Sequence, residues 1–412
     1  MTVNPETAVV RAGGSLSIPS NAPSSPPLFQ ASSYTFADLE DVEAVYGGTR
    51  PGRIYGRYGA PNGTLFEAAM AELEEAEDAV GAASGMAAIH AALAAHLGVG
   101  DRIVASRELY GGTHELFERD FQQNRFSVTY VDQGDLEAVR AALAHERPRI
   151  LYLEALTNPL LHVANLPALA TLARESGAIS VVDATFATPV LVQPAMHGID
   201  LVVHSAGKYL GGHGDVGAGV VAGPRALIEP IRVFLMRTGA TIAHFEAWLA
   251  LRGLRTLALR MERHCTNAAM VAAYLQGSPA VETVHHPSLP HHLEYRLAAD
   301  LYPRGTGGIV AFDLRGGRAA VSTFLSALQH IEIVHSLGQY CTTVSYSVAG
   351  SHRMVSAEVR EQLGVRDGTL RLSVGIEHID DIIADLHRGL SAAATLRVPR
   401  SPQGFADTFA ED

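Results

Sequence analysis

The stretch Val202-Val203-His204-Ser205-Ala206-Gly207-Lys208-Tyr209-Leu210-Gly211-Gly212-His213 runs an apolar strand pattern into a glycine-rich turn and sets a lysine between them. That lysine is the only one in the chain. Of 31 lysines and arginines, all but Lys208 are arginine. A guanidinium keeps its proton in any protein environment, whereas a lysine amine can be desolvated, neutralised and used as a nucleophile. Schiff-base chemistry requires that neutral amine. Drift of lysine to arginine in a GC-rich genome accounts for the arginines and leaves the exception unexplained.

Outward from Lys208, short β-branched runs alternate with Ala- and Leu-rich helical patterns. The strands predicted are 103–105, 128–131, 150–153, 179–182 and 201–204. Helical spacing starts at Thr64, where Phe66, Met70, Leu73 and Ala76 recur with acids between them, and again over 85–97. Such alternation predicts an α/β fold with a mostly parallel sheet covered on both faces. A longer arginine-rich helix over 252–273 leads into a smaller α+β C-terminal domain with strands at 308–313 and 370–374. The expected division is an N-terminal arm (1–62), a large domain (63–257), a small domain (258–396) and a frayed tail (397–412). The arm is rich in Pro, Ser, Gly and Tyr, with 19–27 read as extended. Its aromatic residues favour wrapping on a partner over disorder.

The chain's 412 residues are 47% hydrophobic and 18% charged, enough to bury a sizeable core. A net charge of −12 argues against a nucleic-acid partner. No run reaches the roughly 18 apolar residues of a membrane helix, and the N-terminus lacks the basic and apolar regions of a signal peptide. Cys265 and Cys341 are the two cysteines. They are read as free thiols of a cytoplasmic protein.

Four further features converge on Lys208. Val181-Val182-Asp183-Ala184-Thr185 ends a buried strand in an acid, at the sheet edge where α/β proteins bind ligands; a helix N-cap is the plainer role for Asp183. Ser84-Gly85-Met86 opens a helix whose free N–H groups suit a phosphate, although alone it reads as an ordinary cap. Tyr110-Gly111-Gly112-Thr113 and Glu154-Ala155-Leu156-Thr157-Asn158-Pro159 each follow a strand and bring an aromatic ring and an amide to the same edge; singly they are a turn and a loop. Together they form an anion cradle, an aromatic face, a carboxylate, an amide and an amine, which is the set that pyridoxal 5′-phosphate (PLP) requires.

At this point the chain resembles the Cys/Met-metabolism family of PLP enzymes: cystathionine γ-synthase, the cystathionine lyases, methionine γ-lyase and the acylhomoserine sulfhydrylases. The similarity spans roughly residues 8 to 395. Its most specific stretches are Asp183-Ala184-Thr185-Phe186-Ala187-Thr188-Pro189 and His204 through Asp215. Pro26-Pro27-Leu28-Phe29-Gln30, Tyr55-Gly56-Arg57, Ser336-Leu337-Gly338 and Arg371 through Glu377 add to it.

The resemblance implies PLP fold type I, like aspartate aminotransferase, and a homotetramer built from tight dimers. It implies that Lys208 holds the cofactor and moves the Cα proton, that Asp183 pairs with the pyridine nitrogen, and that Tyr110 stacks on the ring and serves the leaving group. Gly85, Met86, Thr185 and Ser205 would bind the cofactor, and Asn158 its ring hydroxyl. Tyr55 and Arg57 would reach the phosphate in a neighbouring subunit. Arg371 would clamp the substrate carboxylate, with Ser336 and Leu337 beside it. The implied reaction is γ-elimination or γ-replacement on a homoserine-type or sulfur-containing L-amino acid, through an external aldimine and a vinylglycine-type intermediate, with a thiol as second substrate for replacement. β-Elimination to pyruvate, or a non-catalytic scaffold, are the alternatives. The retained Lys208, Asp183, Tyr110 and Arg371 argue against the scaffold.

Departures from the family pattern concentrate around the substrate pocket. Gly207 stands where threonine usually precedes the lysine, Ile54 where cystathionine-handling members carry an acid, and His114-Glu115 where they often carry an arginine. The loop Ala60-Pro61-Asn62-Gly63-Thr64 is altered, and 340–352 lacks the usual proline-containing segment. His335 stands where cystathionine γ-lyases often have glutamate, and Gly112 where methionine γ-lyases have cysteine. Two further patterns lead elsewhere. Gly212 to Gly217 matches GxGxxG, but a strand follows it instead of the helix a dinucleotide site needs. His285-His286 and His291-His292 lack metal-ligand spacing and are read as a solvated loop, so no metal is expected.

Overall fold

A computed structural model describes residues 4–14, 23–121, 126–350, 353 and 357–395. Part of the expected extended arm (19–22), the end of the altered segment (351–352) and the expected tail (397–412) lie outside the described residues.

Seven strands form the large sheet: β1 (Asp78–Ala82), β2 (Arg102–Ser106), β3 (Ser127–Val131), β4 (Ile150–Glu154), β5 (Ile179–Asp183), β6 (Leu201–Ser205) and β7 (Gly219–Gly223). Their order is β1-β7-β6-β5-β4-β2-β3. The pairs joining β3, β2, β4, β5 and β6 are parallel, while β7 runs antiparallel to both neighbours. Burial on both faces explains the continuous apolar runs of the central strands; β4 is buried from end to end. The GxGxxG segment leads into β7, as expected, and no helix opens on it.

The smaller sheet contains β8 (Val281–His285), β9 (Ile309–Leu314), β10 (Glu332–Ile333), β11 (Thr343–Tyr346) and β12 (Thr369–Ser373), ordered β10-β11-β12-β9-β8. All its pairs but β10–β11 are antiparallel. Apolar faces of helices Gly317–Ala327 and Ile379–Ala394 pack on it through Phe324, Ile382, Leu386 and Leu390. Helix Leu257–Gln276 belongs to both cores: Leu257, Met261 and Cys265 join the large domain, Ala268, Val271 and Leu275 the small one.

Three expectations need correction. The helix predicted over 252–273 is two, His244–Leu254 and Leu257–Gln276, separated at Arg255-Thr256. Arg255 at the break donates to the carbonyls of Val10 (2.6 Å) and Ala12 (2.9 Å). Strands β1, β8, β10 and β11 were not predicted; β1, Asp-Ala-Val-Gly-Ala, lacks a β-branched run. The arm is also more ordered than its composition implies. Helix Pro5–Arg11 packs on its own chain, with Val9 and Ala12 in the large core, and Leu39–Tyr46 forms a second helix capped by Asp38. Asn62 pins the segment before it, accepting from the Phe29 N–H and donating to the Pro27 carbonyl.

The turn after Lys208 is held by Arg260, a buried arginine with carbonyls as partners. It donates to Tyr209 O (2.6 Å), Gly253 O (2.8 Å) and Leu210 O (3.3 Å). Gly212, at φ +73°, is needed here, because a Cβ would sit 2.2 Å from the guanidinium. Replacing Arg260 by leucine orphans the Tyr209 and Leu210 carbonyls at about 1–3 kcal/mol each and removes one of the donors to the Gly253 carbonyl, which keeps the Thr256 N–H. Arg260→Leu should therefore lose about 3 kcal/mol or more in urea unfolding; an unchanged midpoint would refute this role.

Candidate active site

The carboxyl ends of the parallel strands open onto a cavity of about 550 Å³ facing the small domain. Four of these strands, β2, β4, β5 and β6, deliver groups to it. Tyr110 follows β2, Glu154 ends β4 with Asn158 four residues on, Asp183 ends β5 with Thr185 after it, and Ser205 ends β6 with Lys208 after it. The small domain adds His335, Ser336 and Leu337 from the loop after β10, and Arg371 from β12.

The Lys208 amine donates to Ser336 Oγ at 2.9 Å, across the seam between the domains. Burial, then the positive charge of Arg371, holds its pKa below the ordinary lysine value. That is the direction a nucleophilic amine requires. Arg371 is 6% exposed. It donates through Nη1 to Asn158 Oδ1 (3.0 Å) and through Nη2 to the Ser336 carbonyl (3.4 Å), while its buried Nε has no partner among the described residues. Burial pulls the guanidinium down to about 10. A buried cation with an orphaned donor is a receptor for an anion.

The candidate phosphate cradle is the N-terminus of helix Gly85–Ala94. Ser84 caps helix Gly85–Ala94, its hydroxyl accepting from Ala87 N–H at 3.1 Å and its carbonyl from Ala88 N–H. This leaves the Gly85 and Met86 N–H groups at the cavity wall. Gly85 is required, since a Cβ there would lie 2.6 Å from Ser205 Cβ. Asp183 Oδ1 accepts from Thr185 N–H (2.9 Å), and Thr185 Oγ1 accepts from Ser205 N–H (2.9 Å), so acid and cradle are linked. Burial raises the Asp183 carboxyl, opposed by those hydrogen bonds. A cationic ring nitrogen at that carboxylate would offset the burial. Cradle, acid, aromatic face, amine and the free amide nitrogen of Asn158 fit PLP.

Tyr55 and Arg57 are not among the cavity's lining residues. Tyr55 is exposed, and Arg57 donates to Met236 O (2.5 Å) in a separate cavity of about 560 Å³. Several lining residues carried no role in the sequence reading, Glu154, Phe186 and Arg353 among them. Glu154 had a signal, an acid ending a strand as Asp183 does.

Solved structures with this architecture are PLP-enzyme relatives. Cystathionine gamma synthase from Xanthomonas oryzae pv. oryzae, crystallised with aminoacrylate and cysteine, superposes with a TM-score of 0.91 at 35% identity, covering 96% of this chain and 100% of that one. A putative O-acetylhomoserine (thiol)-lyase from Campylobacter jejuni, with a pyridoxyl-lysine monophosphate, has a TM-score of 0.89 at 26% identity, covering 94% and 100%. In sequence, L-methionine gamma-lyase of Pseudomonas putida is 39% identical over 371 residues, 90% of this chain and 93% of that protein. O-succinylhomoserine sulfhydrylase of Pseudomonas aeruginosa is 39% identical over 365 residues, 89% and 90%. Residues 6–391 match the Cys/Met metabolism PLP-dependent enzyme family, and the chain belongs to it.

Two departures have a steric basis. A Cβ on Gly207 would lie 2.4 Å from the Val216 carbonyl, so a threonine does not fit this backbone. A Cβ on Gly112 would lie 2.6 Å from the Tyr110 ring, so a cysteine there would displace it.

The histidine pairs are not simply a solvated loop. His286 is buried against Ser288, His285 meets Asp313 at 3.2 Å, and His292 meets Glu294 at 3.3 Å. Among the described residues no group of three His, Cys, Asp or Glu is arranged for a metal. Glu294 also meets His162, 3.3 Å from Nδ1, and Glu108 lies 3.9 Å from the far side of that ring. The Glu294 hydrogen bond, then the charges of Glu108, Glu294 and Asp132, raise His162 to about 9 against its burial, while burial holds His292 near 4.

Glu108 accepts from Thr157 Oγ1 at 2.8 Å, so the cluster braces the Tyr110 and Asn158 loops. The raised His162 value makes its stabilisation complete below about 6.5 and lost as pH rises through about 9. The melting temperature of wild type should exceed that of His162→Gln at pH 7 and converge on it by about pH 10. A gap that stays constant with pH would show that the charge contributes nothing.

Proposed function

We propose that this enzyme carries out γ-elimination or γ-replacement on an L-amino acid of homoserine type. The observation that carries this reading is the bridge from Lys208 through Ser336 to Arg371, which sets an amine site beside a carboxylate site. Bound PLP supplies an electron sink for charge developing at the substrate's α and β carbons. Arg371 binds the α-carboxylate, and Lys208, with its lowered pKa, moves the Cα proton. Asp183 would pair with the ring nitrogen, and Tyr110 would stack on the ring and serve the leaving group. Ile89, Leu156, Phe186 and Leu337 keep water from the reacting centre.

The γ end of such a substrate points to the rim formed by His335, Gly350 and Arg353. His335 packs on Gly350, where a Cβ would lie 2.5 Å from the ring. A cation on this rim favours a γ-substituent that ends in an acid, as in O-succinylhomoserine, the substrate in the P. aeruginosa relative's name. The protein would work in the cytoplasm as a homotetramer, with Tyr55 and Arg57 completing the phosphate site of a neighbouring copy. Their position away from their own chain's cavity supports this, as do the free thiols for the cytoplasm.

Purified protein should be given O-succinyl- and O-acetyl-L-homoserine, L-methionine and L-cystathionine, with and without a thiol, and the products identified by mass. 2-Oxobutanoate or a γ-thioether is expected. Pyruvate alone would move the enzyme to β-elimination. Lys208→Ala should lose about a thousandfold or more, and turnover by it near the wild-type rate would refute the scheme. Arg353→Ala should raise KM about tenfold for the succinyl substrate and leave the acetyl one unchanged.

For the arm, mixing the inactive variants Lys208→Ala and Arg57→Ala should restore activity, because one site per mixed dimer is then intact. No recovery from mixtures shown to form mixed dimers would refute donation between subunits.

A further inference from the structure

Glu154 is 4% exposed and lies in register with Asp183 on the neighbouring strand. Its main chain is gripped by buried Gln133, whose Nε2 donates to Glu154 O at 2.9 Å and whose Oε1 accepts from Glu154 N–H at 3.4 Å. With its Cα fixed, the side chain reaches into two loops. Oε1 accepts the Tyr110 N–H at 2.6 Å, and Oε2 accepts the Asn158 N–H at 3.1 Å. These loops leave different strands and also meet through the Glu108–Thr157 contact. One carboxyl group thus fixes the backbone under the ring-stacking residue and under the amide that also orients Arg371.

Charge adds a second constraint. Burial, then the neighbouring Asp183 charge, pushes the Glu154 carboxyl well above the usual range. Two adjacent buried carboxyls do not both ionise readily.

We propose that Glu154 is a positioning residue, which sets where Tyr110 and Asn158 meet the cofactor ring by holding both backbone N–H groups on one carboxyl. The inference rests on the PLP reading of the cavity and concerns a side chain that need not touch substrate. Glu154→Gln separates positioning from bulk: the amide keeps size and one acceptor oxygen but turns an NH2 donor toward the other N–H.

Hydrogen exchange on the PLP-free chain should be faster in Glu154→Gln, in peptides containing Tyr110 or Asn158, and unchanged in β5 and β6. With PLP added, the variant should bind about tenfold more weakly and show a reduced visible circular dichroism band. Its kcat should fall more than its KM rises. Should Glu154→Gln fail to fold, Glu154→Asp keeps the carboxyl, loses the reach to both loops, and should show the same changes. Wild-type exchange in both loops together with an unchanged cofactor spectrum would overturn the inference. A wild-type chain that takes up no PLP would instead overturn the reading of the site, a distinct result that the exchange data do not produce.

Discussion

A buried guanidinium with an unfilled donor governs this site. Arg371 sits on β12 at the seam between the domains, where its described partners are an amide oxygen and a carbonyl, and its Nε has none. A cation in that setting is costly unless an anion completes it. Its charge also lowers the pKa of Lys208. Receptor and nucleophile are therefore coupled by one electrostatic constraint. A carboxylate at the Arg371 site would remove the second of the two causes, after burial, that lower the pKa of the amine.

The rest of the fold keeps the two basic groups in place. β6 and Arg260 fix the turn that carries Lys208, and helix Leu257–Gln276, which carries Arg260, is packed into both cores. Ser336 touches Lys208 through its hydroxyl and Arg371 through its carbonyl, so the contact between the domains runs through the chemistry itself. On the sheet side, Glu154 and Glu108 hold the two loops that face this pair. The cavity thus lies between the two domains, with His335 and Arg353 among its lining residues.

Much of this was legible in the sequence because the responsible signals are local. A solitary lysine after an apolar run, acids and amides at strand ends and a glycine-opened helix each mark one chain segment. The α/β alternation follows from burial on both sheet faces. Less legible were β1, whose small residues pair with β7 at a distance, and the break at Arg255-Thr256, which depends on packing against Pro5–Arg11. His286 was read as solvated because nothing in its neighbours in sequence announces burial. Gly207 and Gly112 looked like lost functional groups, yet each is where a side chain would collide with Val216 or with the Tyr110 ring.

The sequence by itself determined the class of chemistry, since the amine, the acid, the aromatic ring and the anion cradle each announce themselves by residue type and by position at a strand or helix end. It could not determine which of them touch. Glu154 and Tyr110 are 44 residues apart, Lys208 and Ser336 128, Asn158 and Arg371 213. Only the tertiary packing decides such contacts, because hydrogen bonds act over about 3 Å and nothing in the order of residues encodes which distant segments the packing brings that close.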